Sequence, residues 1–317
     1  MCSSLKRWAA ERGYKVAWGS PSMVEEARVE IEKRRAAGEI DEGVYRAILD
    51  EFKDPAAAEA ARIRWLLVFA VPCPAYRLAF TLDAGPLHAL VPPTYRFYRS
   101  IFDTVAEDLK NTLLGKDACV VPLWAPLKTI SSRLGLVSYG RNNVTYVEGL
   151  GSYHQLVGCL TDADLDLLPT EAHSPILAPE CRRCRACLKA CPTGAIREDR
   201  ILIHAERCLT MVNEVSGPWP EWVPPGVHHC LVGCLACQRI CPKNVGLLRE
   251  EPVEEAFGRP ETDRILWGEP DDEDPLWQQI KARTARIGLA RYDSVLGRNL
   301  RALLAADRKS PSSERPG

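Results

Sequence analysis

No apolar run in this sequence is long enough to cross a bilayer: the longest, Trp65–Pro72, falls far short of the roughly 20 residues a spanning helix needs. The first residues, MCSSLKRWAAERGYK, hold neither an apolar leader core nor a twin-arginine pair, so a cytoplasmic protein with no membrane partner is expected. An excess of one charge is also lacking. Lys and Arg number 41 against 42 Asp and Glu, for a net charge of −1. The large positive field that drives non-specific nucleic-acid binding is therefore absent, and nucleic acid is an unexpected partner. There is no GxGxxG turn and no GxxxxGK[ST] loop, so neither a dinucleotide nor a nucleoside triphosphate has its familiar cradle.

What is abundant is cysteine. The chain has 317 residues, 46% of them apolar and 26% charged, enough to bury a core and to form about two domains. Of its 13 cysteines, nine lie between Cys181 and Cys241. Cys2, Cys73, Cys119 and Cys159 are scattered and read as ordinary small side chains. A secreted disulfide scaffold would be shorter and its cysteines more evenly spread. The pattern is that of a metal or cluster module set into a larger protein.

Around that module the periodicity alternates. Helices are expected over 2–12, 20–37, 44–52, 95–114 and 126–134, and strands over 15–18, 64–71, 118–123 and 152–160. The proline-rich stretch between Pro72 and Pro93 reads as a loop, and further helices are expected near 276–286 and 292–305. The fold class is α+β, with an α/β cofactor-binding domain over 1–170 and an inserted module over 171–250. A C-terminal helical segment over 251–306 packs back on the first domain, and a polar tail at 307–317 is disordered.

The first cysteine run is Cys181-x2-Cys184-x2-Cys187-x3-Cys191-Pro192, the bacterial ferredoxin spacing whose fourth cysteine serves the other cluster. The second is Cys234-x2-Cys237-x3-Cys241-Pro242, one cysteine short, with Cys208 between the runs. Two [4Fe–4S] clusters follow. Cluster one takes Cys181, Cys184, Cys187 and Cys241, and cluster two takes Cys191, Cys208, Cys234 and Cys237. Paired structural zinc sites are the alternative. Cys230 is left over and could replace Cys234, although the spacing then breaks. Two adjacent clusters make an electron wire, and without a nucleotide site the electrons must come from a carrier such as ferredoxin or flavodoxin.

Upstream lies a glycine-rich segment: Gly135-Leu-Val-Ser-Tyr-Gly-Arg-Asn142, then Gly151-Ser152, then Leu160-Thr-Asp162. Together with Cys181–Ile196 (CxxCxxCxxxCPTGAI), Cys208, Gly233–Asn244 (GCxxCQxxCPxN) and the late Arg298-Asn299, this order resembles the cobalamin-dependent iron–sulfur reductases, the epoxyqueuosine reductases and reductive dehalogenases. The resemblance implies a nitroreductase- or flavin-reductase-like first domain. It also implies a base-off cobalamin between that domain and the clusters, reduced by the nearer cluster, and a small-molecule substrate.

By that resemblance Gly135, Ser138, Tyr139, Gly140, Arg141, Asn142, Gly151, Ser152, Tyr153, Thr161 and Asp162 would bind the cofactor. Tyr139, Arg141 and His154 are the candidate catalytic groups, each with a structural alternative. Tyr95, Tyr98 and the pair His228-His229 are weaker candidates.

Two positions depart from the family pattern. Val137 stands where the loop usually has a second glycine. Leu123 stands where epoxyqueuosine reductases carry an aspartate before Ala-Pro. An outlying member with a different substrate is expected. An electron-transfer protein that reduces a corrinoid or flavin on a partner protein is the alternative, and a first domain that binds flavin or nothing is a third reading. No Asp-x-His-x-x-Gly motif for a histidine-ligated corrinoid is present.

Overall fold

The computed structural model describes residues 2–49, 52, 62–168, 170, 173–174, 177–199, 202–269 and 271–307; most of the expected tail lies outside them. The continuous apolar run Trp65–Pro72 forms strand β2, buried along six consecutive positions, so both its faces are covered. Its neighbours are β1 (Lys15–Gly19) on one side and β8 (His154–Thr161) on the other, with β5 (Val120–Leu123) beyond β8. Every pairing in this four-stranded sheet is antiparallel. The domain is therefore α+β, without the parallel crossovers that alternating strands and helices suggest.

Helices α1 (Cys2–Glu11), α2 (Met23–Ala36), α3 (Ser100–Leu109) and α4 (Leu127–Arg133) carry the apolar residues that pack on this sheet. Helix α3 buries Phe102, Val105, Ala106 and Leu109, the spacing of one helical face. It starts later than periodicity predicts, because Thr94 and Phe97 sit at positive φ (74° and 53°) and hold the chain out of helix.

The stretch read as a proline-rich loop is instead a β-hairpin. β3 (Ala75–Leu82) pairs with β4 (Gly85–Val91), and β9 (Glu250–Pro252) adds in parallel to β3. The prolines fall at or beyond strand ends or at the edge position Pro86, where a missing N–H costs little. This hairpin builds a second core with α8 (Arg259–Trp267), α9 (Pro275–Arg286) and α10 (Asp293–Asp307). Between the two cores lies the cysteine region. Its short helices are α5 (Ala186–Ala190), α6 (Leu209–Glu214) and α7 (Ala236–Arg239), and α5 packs on α7. Among the described residues no helix is long and apolar enough to cross a membrane.

Candidate functional site

Two groups of thiols gather in the module. Cys187 has Cys181, Cys184 and Cys241 as its charged neighbours. Cys237 has Cys234 and Cys208, and Cys191 joins them through Cys208 and Cys234. The residues expected in each set are thus brought near one another, and Cys187 of the first set also neighbours Cys237 of the second. Among the described residues no three His, Cys, Asp or Glu side chains converge closely enough to hold a single ion.

The surroundings of the thiols suit iron–sulfur ligation. Burial pushes Cys191 up, but hydrogen bonds from the backbone N–H groups of Thr193, Ile196 and Ala195, with the Thr193 hydroxyl, outweigh it and leave the pKa below the ordinary thiol value. Cys208 receives the amides of Thr210 and Met211, and Cys234 that of Ala236, although burial still pushes Cys234 to about 12. Amides aimed at sulfur stabilise the thiolate that iron requires. Cys230 is 1% exposed in a small apolar cluster with Leu90, Tyr153 and Leu235, receives the Leu235 amide and borders the second set of thiols through Cys234. Its pKa is pushed up to about 12 by burial, though its thiol is close enough for Cys234 to feel its charge.

The glycine-rich segment docks the module. Arg141 donates from its two terminal nitrogens to the carbonyls of Glu198 and Cys181, each at 2.8 Å. Ser152 N–H donates to Asn244 Oδ1 (2.9 Å), Ser152 Oγ meets Gln238 Oε1 (2.8 Å), and Asn244 Nδ2 donates to Ser152 Oγ (2.7 Å). Gly151 must be glycine: its φ is +58°, and a Cβ there would lie 2.4 Å from Asn244 Oδ1. Tyr153 reaches the Gln238 carbonyl at 3.5 Å. Asn142 donates to the Tyr146 hydroxyl (3.1 Å) and is in polar contact with Cys237, while Tyr146 is in polar contact with Cys241.

The remaining predicted residues hold the first domain together. Gly135, φ +71°, ends α4. Ser138 and Tyr139 form β6 against β7 (Thr145–Tyr146), and Gly140 makes the turn after it. The Tyr139 hydroxyl meets Thr129 (3.5 Å), under α2 and away from the thiols. Thr161 accepts from the Ala163 amide, and Asp162 from the Cys119 amide, at the far end of β8.

His154 has both ring nitrogens engaged, Nδ1 with the Gly151 carbonyl (3.1 Å) and Nε2 with Thr145 (3.2 Å). Burial lowers its pKa to about 4, so at neutral pH it has no proton to give. As assigned, this set does not fit a corrinoid: its polar atoms are spent on the module or on the domain's own turns.

Other residues face the second set of thiols. Lys128, on the first turn of α4, is exposed to solvent. Burial lowers its pKa against the opposing pull of Cys208 and Cys237, and its ammonium donates to the Asn143 carbonyl (3.2 Å). Tyr95, half-buried and also close to Cys208, donates to Glu214 Oε1 at 2.7 Å. Tyr98 packs edge-on against Trp124, nearer the sheet. The Nε2 atom of His229 lies 3.8 Å from Cys234 Sγ and accepts the Leu235 amide, which leaves the ring hydrogen on Nδ1 toward Val227. Lys128 and Tyr146 carry no sequence signal: each is a lone polar residue in an otherwise ordinary element.

The position of the expected acid is a core position. Leu123 is 1% exposed and packs against Gly158 of β8.

The family profile of the 4Fe-4S double cluster binding domain matches residues 180–244, which places two 4Fe-4S clusters in the module. Curated relatives include the epoxyqueuosine reductases of Staphylococcus aureus (29% identical over 124 residues, 39% of this chain and 31% of that protein) and Bacillus subtilis (31% over 119 residues, 38% and 29%). A crystal structure of a selenomethionine-labelled epoxyqueuosine reductase superposes on 98% of this chain and 82% of its own, at TM-score 0.66 and 18% identity. The chain is thus similar to the epoxyqueuosine reductases in its cluster region and in its fold. It spans about a third of the length of the curated relatives it matches. Another structure with the same fold is an epoxyqueuosine reductase with a modified tRNA-Tyr stem loop (TM-score 0.63, 18% identity).

Proposed function

We infer that this chain is an iron–sulfur oxidoreductase that accepts electrons singly from an external carrier. It passes them through two clusters to an acceptor that meets the surface beside Lys128. In this reading Cys181, Cys184, Cys187 and Cys241 ligate cluster one, and Cys191, Cys208, Cys234 and Cys237 ligate cluster two. The observation that carries it is the position of Lys128, exposed to solvent and near enough to Cys208 and Cys237 for their charges to act on it.

The chain's own residues have limited roles. Arg141, Ser152, Asn244 and Gln238 fix the module against the sheet, so that the distance to that surface is constant. Lys128 offers a positive charge to a reduced, negatively charged acceptor. Tyr95 and Glu214 hold a proton on a 2.7 Å hydrogen bond at the same end of the module.

A base-off corrinoid is the acceptor that the resemblance implies, with a small molecule as the final substrate; bound, it would supply a low-valent metal nucleophile. Because the residues assigned to it are spent elsewhere, no step is routed through it. Epoxyqueuosine reduction on tRNA, the activity in the relatives' names, is not the favoured reaction, because the acid position is the buried Leu123. The same burial favours a second reading, an electron-transfer protein that reduces a corrinoid or flavin on a partner.

The test is titration of the anaerobic, cluster-loaded protein with cob(II)alamin, followed by absorption and EPR. Stoichiometric uptake in the base-off form supports a corrinoid acceptor. Full cluster content with no uptake moves the terminus to a partner protein. Turnover of epoxyqueuosine tRNA by this chain would overturn the preference against that reaction.

A further inference from the structure

Helix α5, which carries Cys187 of the first set, packs side by side with α7, which carries Cys237 of the second, and the segments around them, 179–190 and 236–249, hold seven Lys or Arg against one acid, Glu180. The rest of the chain holds 34 Lys or Arg against 41 Asp or Glu, so this positive charge is local. Several of these cations are already paired: Arg185 with Glu198, Arg239 with Glu250, and Lys243 with Glu180. Arg182, Arg183 and Lys189 are exposed and form no ion pair among the described residues. Within the same face two large apolar side chains stand in solvent, Ile240 at 51% exposure and Val245 at 79%, flanking Cys241.

Exposed Ile and Val side chains beside segments rich in exposed cations have the composition of a transient protein interface, apolar contact with a charged rim. RNA is the other polyanion to consider. Recognition of single-stranded RNA relies on aromatic side chains that stack bases, and neither segment contains Phe, Tyr, Trp or His.

We propose that this face is the docking surface for an acidic one-electron carrier protein, which reduces cluster one through the Cys181–Cys187 edge. The occupant is argued from charge complementarity and from position, since the exposed Arg182, Arg183 and Lys189 alternate along the chain with Cys181, Cys184 and Cys187 of cluster one. The proposal rests on the two-cluster reading above. Each encounter moves one electron: the carrier's cluster or flavin is oxidised by one electron, cluster one is reduced by one, and no bond forms or breaks.

The experiment is anaerobic stopped-flow reduction of the loaded protein by a reduced acidic plant-type [2Fe–2S] ferredoxin. It compares wild type with the double charge reversal Arg182→Glu/Arg183→Glu, with Lys189→Glu, and with Val245→Asp. The second-order rate constant is expected to fall at least tenfold in the double reversal, and the wild-type rate to drop steeply with ionic strength where the variant's does not. Reduction by dithionite, which needs no docking, stays unchanged and shows that the clusters are intact. Equal ferredoxin rates in wild type and variants overturn the proposal while leaving the clusters in place. A tRNA stem loop that competes with ferredoxin, and whose binding the same reversals abolish, would assign the face to RNA. Absence of iron after reconstitution would instead sink the reading on which the proposal rests.

Discussion

Asn142 Nδ2 donates to the Tyr146 hydroxyl at 3.1 Å, and this pair joins the two thiol groups: Asn142 touches Cys237 of one and Tyr146 touches Cys241 of the other. Burial first, and then the Cys241 contact, raises the Tyr146 pKa far above the ordinary phenol value, so its hydroxyl keeps its hydrogen. A hydrogen bond to a ligating sulfur favours the reduced cluster. Tyr146→Phe is expected to lower the potential of cluster one by roughly 20–60 mV, on the scale where 59 mV is tenfold for one electron. Potentiometric EPR titration would measure this, and an unchanged potential would show that the hydroxyl does not act on the cluster.

The ambiguity between Cys230 and Cys234 has a direct resolution. Cys234 sits beside Cys191 and Cys208 with the Ala236 amide on its sulfur, whereas Cys230, with the Leu235 amide on its sulfur, has only Cys234 beside it and is otherwise packed among apolar side chains. Cys230→Ala should retain full iron content, while Cys234→Ala should lose cluster two. Iron and sulfide assays on the two proteins check this, and retention in Cys234→Ala with loss in Cys230→Ala would exchange their roles.

His154 gives a pH dependence with a definite sign. Its folded pKa of about 4 lies below the usual 6.5, because burial disfavours the imidazolium. A base whose pKa is depressed on folding stabilises the fold above its unfolded pKa, and that contribution is lost as pH falls. Stability should therefore decline between pH about 6.5 and about 4, by up to about 3 kcal/mol from this group. His154→Gln should flatten that part of the profile in denaturant unfolding at several pH values. A slope equal to wild type would mean that His154 is not responsible.

Restoring an acid at position 123 should fail. Leu123 is 1% exposed against Gly158, so Leu123→Asp buries a carboxyl without a partner, at a cost of about 3 kcal/mol or more. The expected result is a lower melting temperature and no gain of epoxyqueuosine reduction. A stable, active Leu123→Asp protein would show that this segment moves out of the core.

The cluster module was legible because iron–sulfur ligation favours close spacing: within each run the thiols sit two or three residues apart, and only Cys208 stands alone between the runs. The strand Trp65–Pro72 was legible for a similar reason, since burial on both faces leaves an unbroken apolar run. The hairpin at 75–91 was hidden because prolines mask strands when they fall at ends and edges. The glycine-rich loop was recognised but its contacts were not. Gly151 and Ser152 meet Asn244 and Gln238 some 90 positions away, and no local pattern records such a distant partner. Lys128 and Tyr146 depend in the same way on tertiary placement.

The most direct measurement is the iron and acid-labile sulfide content of the anaerobically reconstituted chain, with EPR of the reduced protein. Two [4Fe–4S] clusters predict about eight iron and eight sulfide per chain, falling to about half in Cys187→Ser, with magnetic coupling between neighbouring clusters in the reduced wild type. Zinc in place of iron, or iron that stays at about eight in both Cys187→Ser and Cys237→Ser, would contradict the account.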